Sequence, residues 1–124
     1  MSSVYVVQRP RFKNPLTGEW QDKYDLKPAE QFGEIKEILR PGNFTGAERK
    51  NVMLRIIENL KDFNSDDYLL ALGDPVMIAA AACVAMDYAQ DFIRVLKWDR
   101  QIEQYMPFVI SLDYESNMSV LEEK

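Results

Sequence analysis

The chain predicts a small α/β domain, or an α+β variant of it, built on a mixed sheet of about four strands with three helices. Three observations carry this. Tyr68-Leu69-Leu70-Ala71-Leu72 is a short apolar run that ends at Gly73-Asp74-Pro75. The all-apolar stretch Val76 to Met86 follows, and then a second run, Phe92 to Trp98. Strand, tight turn, apolar helix and returning strand make one parallel β-α-β unit, expected to be right-handed. Finally, Tyr105 to Leu112 alternates and pairs back on Phe92–Trp98 as a C-terminal β-hairpin.

The elements follow in order. Val4-Tyr5-Val6-Val7 is β-branched and aromatic, so it reads as a strand, and Pro10 ends it or confines it to a sheet edge. Asn14-Pro15-Leu16-Thr17-Gly18 carries turn chemistry. Its flanks suit either a hairpin or an ordered loop, and the loop is the expectation. From Pro28, the apolar positions Ala29, Phe32, Ile35, Ile38 and Leu39 approximate one helical stripe opposite Glu30, Glu34 and Glu37, and Arg40-Pro41-Gly42 stops it.

Thr45-Gly46-Ala47-Glu48 matches a capping box. It opens an amphipathic helix with Met53, Ile56, Ile57, Leu60 and Phe63 on one face. In the central unit, Asp74 is placed to cap the next helix and Pro75 suits its first position. A helix apolar all round is expected to be buried. Its small residues Ala79 to Ala82, Cys83 and Ala85 imply close packing, on the chain's own sheet or across a dimer. The expected order is strand, helix, helix, strand, helix, strand, strand. Residues 1–112 form one domain, and 113–124 an acidic, loosely ordered tail.

Composition excludes several functions. No stretch reaches the roughly 20 apolar residues that span a bilayer. With no apolar signal region at the start, the expectation is a soluble intracellular protein. A net charge of −5 disfavours nucleic-acid binding, which needs a basic face. The lone Cys83 excludes an internal disulfide. The chain contains no histidine, so Cys-His and Ser-His catalysis and histidine-ligated metals are excluded within it. No catalytic residue, metal ligand or cofactor motif is therefore assigned.

The candidate sites compete with plainer readings. Gly73 and Asp74, at a strand-to-helix turn, lie where an anionic ligand or nucleotide binds in many α/β folds. One glycine, the negative charge of Asp74 and the missing amide of Pro75 favour a simple helix cap. Asp66 and Asp67 are separated from Asp74 by a strand, roughly 20 Å, too far to share a metal. They read as a solvated loop, and Cys83 as an inert core thiol. Arg9, Arg11 and Lys13 around Phe12 are few for a phosphate-binding patch. Trp20 and Trp98 are expected mainly in the core. Should the chain present a partner-binding face, its candidates are Trp98, Arg100, Tyr105 and the sheet edge near Pro107.

Tyr5-Val-Val-Gln8, Asp25-Leu-Lys-Pro-Ala29, Asp67-Tyr-Leu-Leu70 with Gly73-Asp-Pro75, Leu96-Lys-Trp98 and Tyr105-Met-Pro107 form a linear pattern. It resembles a group of small, uncharacterised proteins of tailed bacteriophages, over nearly the whole chain to about Leu112. The resemblance brings no activity and no catalytic residues. It implies context only: a viral accessory or structural protein made in the bacterial cytoplasm, there or in the virion. The leading expectation is a non-enzymatic protein that binds a viral or host protein, or itself. The alternative is a small-ligand or nucleotide-binding protein using Gly73-Asp74-Pro75.

Overall fold

A computed structural model describes residues 2–113, 115, 117 and 118. The first strand, β1 (Ser3–Val6), is fully buried and lies second in a five-stranded mixed sheet. Its neighbours are β4 (Glu34–Glu37) on one side and β5 (Tyr68–Leu70) on the other, both parallel to it. Next come β6 (Phe92–Asp99), parallel to β5, and β7 (Gln104–Ser111), antiparallel to β6, giving the order β4-β1-β5-β6-β7. A separate two-stranded hairpin joins β2 (Arg11–Lys13) to β3 (Trp20–Asp22). The class is α+β, with the expected parallel β-α-β unit and C-terminal hairpin both present.

The helix expected from Pro28 to Leu39 is instead two elements. A 3-10 helix spans Lys27–Phe32, and β4 follows it. Gly33 divides them at φ 150°, where a Cβ would stand 2.2 Å from the Ser2 carbonyl oxygen. Only glycine fits that approach. Beyond it the chain runs extended, and the Ile38 and Leu39 amides donate to the Val6 and Val7 carbonyls. The sheet thus has five strands rather than four. Residues 11–22 are also a hairpin, not the expected loop. Asn14 organises its turn by accepting from Leu16 N through its side chain and from Gly18 N through its carbonyl.

Both long helices cover one face of the sheet. Helix α1 (Gly46–Asn59) opens on the expected capping box, with Glu48 Oε1 accepting from Thr45 N at 3.2 Å. Its buried residues are Val52 and Ile56, while Met53 and Ile57 are exposed, so the buried stripe is rotated from the expected one. Helix α2 (Pro75–Ala89) starts on the Asp74 cap, which accepts from Val76 N at 2.8 Å. Together they pack on Tyr5, Val7, Leu69 and Ile93. Of α2 itself, Ala81 and Ala85 are fully buried, but Val76, Ala79 and Cys83 are exposed. The core thiol expected at Cys83 is therefore a surface one.

The second face is covered more thinly. Val4, Val6, Leu70, Leu96 and Tyr105 pack there with Ala29 of the 3-10 helix and Leu26 just before it. Asp67, read from sequence as solvated loop, is buried. Its carboxylate accepts from Ser3 N at 2.9 Å and Asn64 N at 3.0 Å, tying the start of β1 to the turn before β5. Most of the tail expected to be loosely ordered lies outside the described residues; Glu115, Asn117 and Met118 have helical backbone.

Candidate functional site

Two places collect the candidate residues, and they lie at the ends of different strands. The first is the carboxyl end of the parallel strands. The chain leaves β1 toward β4 but leaves β5 toward β6, so the crevice between β1 and β5 is where the direction of connection reverses. Gln8 fills that crevice. Its Nε2 donates to the Arg40 and Gly42 carbonyls at 3.0 and 2.9 Å, and its Oε1 accepts from Asp74 N at 2.9 Å.

Gly73, at φ 117°, presses on the same side chain; a Cβ there would meet Gln8 Cβ at 2.7 Å. Asp74 itself lines an open cleft of about 500 Å³ with Phe44, Arg49 and Met77. At this helix start the Asp74 amide is held by Gln8, the Val76 amide by the Asp74 carboxylate, and Pro75 has none. The cap and the glutamine thus take the donors that an anion would use.

The second place is the tip of the β6–β7 hairpin. Trp98 and Tyr105 are directly opposed in register, with ring centroids 4.9 Å apart and planes at 69°. Tyr105 is 3% exposed and Trp98 39%, so one ring is the seat and the other the presented surface. Burial, with Asp25 next in effect, pushes the Tyr105 phenol above its ordinary value. It therefore stays protonated and donates toward the Asp25 carbonyl at 3.5 Å.

Around this pair runs a groove of about 560 Å³, lined by Tyr24, Asp25, Pro28, Leu72, Lys97, Trp98, Arg100 and Tyr105. The fold thus brings together three of the four partner-binding candidates, Trp98, Arg100 and Tyr105. Pro107 lies round the turn, lining an adjacent groove of about 440 Å³ with Trp98, Arg100 and Phe108. Tyr24 and Pro28 reach the site from one distant segment and Leu72 from another, and no local signal in the sequence marks them.

Elsewhere the candidates resolve into structure. Arg9 pairs with Glu37 of β4 at 2.6 Å and with Asp22 of β3 at 3.6 Å, tying the β2–β3 hairpin to the sheet, while Arg11 pairs with Asp22 at 3.1 Å within the hairpin. Trp20, expected in the core, is exposed on that hairpin. Among the described residues, no helix is long and apolar enough to cross a membrane. None of their acidic or cysteine side chains gather in threes as a metal would need.

A family model described as Phage Pam3 gp32-like protein matches residues 2–112. The chain belongs to that family. No curated protein and no solved structure matches it. The match confirms the resemblance to small phage proteins, and its span holds both places described above. The hairpin tip combines a half-exposed tryptophan seated on a buried tyrosine, apolar walls and charged groups at the rim.

Proposed function

We propose that this phage protein acts without catalysis, by docking another protein against the tip of its β6–β7 hairpin. Trp98 carries the reading. Interfaces draw most of their energy from a few aromatic and arginine anchors seated in well-packed surroundings. Trp98 is held edge-on by the buried Tyr105, with Tyr24 and Pro28 beside it and Arg100 and Lys97 at the rim. The chemistry of the groove supports binding over turnover. Its ionisable groups are two cations, one carboxylate and two phenols, and no nucleophile stands beside a base.

The test is native mass spectrometry of the full chain purified gently from phage-infected cells, beside the Trp98→Ala variant. A stoichiometric protein partner held by the wild type and lost from the variant, with the melting temperature nearly unchanged, is the expected result. A partner that binds both forms equally rejects this site.

The cleft at Asp74 favours a second reading, a small ligand held at the carboxyl ends of the parallel strands. There Asp74→Ala separates the two roles. As a cap alone, Asp74 contributes about 1 kcal/mol of stability. A co-purified small molecule released by that substitution would establish the ligand site instead.

A further inference from the structure

The β2–β3 hairpin leaves the body of the molecule as an arm. Every residue from 11 to 25 except Asn14 is exposed, and the two strands contact chiefly each other. At the foot of the arm, Arg9 ties Asp22 to Glu37, and Lys23 N donates to the Pro10 carbonyl. A two-stranded hairpin by itself is marginal in water. This one also displays Phe12, Leu16 and Trp20 at 43%, 93% and 65% exposure. Large apolar side chains gathered on one exposed element mark an interaction surface. Among the described residues, nothing in the arm's own body covers them.

At the rise of a β-strand, Leu16 in the turn stands roughly 20 Å from Pro10 at the foot. The groove at the β6–β7 tip begins beside that foot, because Tyr24 and Asp25 follow β3 within three residues. The cross-strand pairs Arg11 with Asp22 and Lys13 with Trp20 keep the arm extended, so its tip does not bend into its own groove. A two-fold axis crossing the arm at mid-length exchanges tip and foot between two copies. Each tip then falls at the other copy's groove, with neither chain rearranged.

We infer that the groove's occupant is the arm tip of a second copy, in a two-fold dimer held by exchanged arms. This rests on the hairpin-tip reading and names its partner. Pro15 and Leu16 are exposed at the tip, and Trp98, Tyr24 and Leu72 offer them apolar walls. Charge supports the same occupant. Glu19, just past the turn, has no cationic partner among the described residues, and Lys97 and Arg100 of the groove have no carboxylate partner there. Lys13, the other unpaired charge near the tip, finds Asp25 on the groove. A two-fold contact uses each patch twice, so both arms seat together. The arms unseat whenever the dimer dissociates, so their amides still exchange faster than those of the sheet.

The experiment is mass measurement by light scattering over a dilution series of the full chain. The expected result is a concentration-dependent dimer of twice 14.4 kDa. Leu16→Asp at the tip and Trp98→Ala in the groove should each render it monomeric. Glu19→Arg should weaken the dimer about tenfold, and adding Arg100→Glu should restore it. All four positions are exposed, and circular dichroism verifies the fold. A monomer at every concentration overturns the inference. So does a dimer indifferent to Leu16→Asp or to Glu19→Arg, or one that Arg100→Glu does not restore. The hairpin-tip reading fails separately: a monomeric chain that still holds a foreign protein through Trp98 removes the arm exchange and keeps the groove as a docking site.

Discussion

Gln8 joins more of the molecule than any other single side chain described here. Three hydrogen bonds run from it to the loop after β4 and to the start of α2, and its neighbour across the crevice is a glycine that leaves no room to move. Gln8→Ala leaves two carbonyls and one amide without partners in a mostly buried place. The expected cost is about 2–3 kcal/mol, read as a lower urea midpoint. Glu48 offers a pH-dependent counterpart. A hydrogen bond from Arg40 and another from the Thr45 amide bring its carboxyl from 4.5 to about 2. A carboxyl depressed by folding stabilises above its unfolded value and loses that contribution as pH falls toward the folded one. Stability should therefore decline between pH 4.5 and about 2. In Glu48→Gln that part of the decline should be absent from a series of thermal melts.

At the scale of elements, the instructive segment is Lys27 to Leu39. Its apolar spacing is close enough to helical to read as one helix, yet Glu34-Ile35-Lys36-Glu37 alternates equally well. The deciding residue is Gly33, whose φ of 150° and contact with Ser2 only the tertiary neighbour explains. The capping box and the Gly-Asp-Pro helix start, by contrast, were legible because each rests on hydrogen bonds within four residues. Strand β7 shows an element protecting itself. Its open edge carries no charge from Tyr105 to Leu112, and Pro107 supplies the interruption instead. Pro107→Val restores an outward amide. Light scattering on warming should then show earlier and heavier aggregation than in the wild type, with the secondary structure before onset unchanged.

For the whole molecule, the order β4-β1-β5-β6-β7 places β1, β5 and β6 inside, each paired on both sides, while the β2–β3 hairpin stands apart, joined to β4 through Arg9. Amide protection follows burial and pairing. Hydrogen exchange should be slowest at Val4 to Val7 and Leu69-Leu70, and fastest at residues 11–22. Equal protection of the hairpin and β1 would contradict this hierarchy. The hairpin-tip groove is also a property of this scale, since residues 24–28, 72 and 97–105 meet only once the sheet is assembled.

The sequence by itself determined what is local or compositional. It specified the β-α-β unit, the two helix caps, the C-terminal hairpin, the absence of histidine chemistry and the kinship to small phage proteins. Tertiary structure decided the rest. It recruited a fourth parallel strand from an ambiguous segment and buried Asp67 on the Ser3 and Asn64 amides. It also turned one flank of an all-apolar helix outward and stood Trp98 on Tyr105 at a surface. These outcomes depend on which distant segments become neighbours. Residue type and spacing along one stretch carry no record of that.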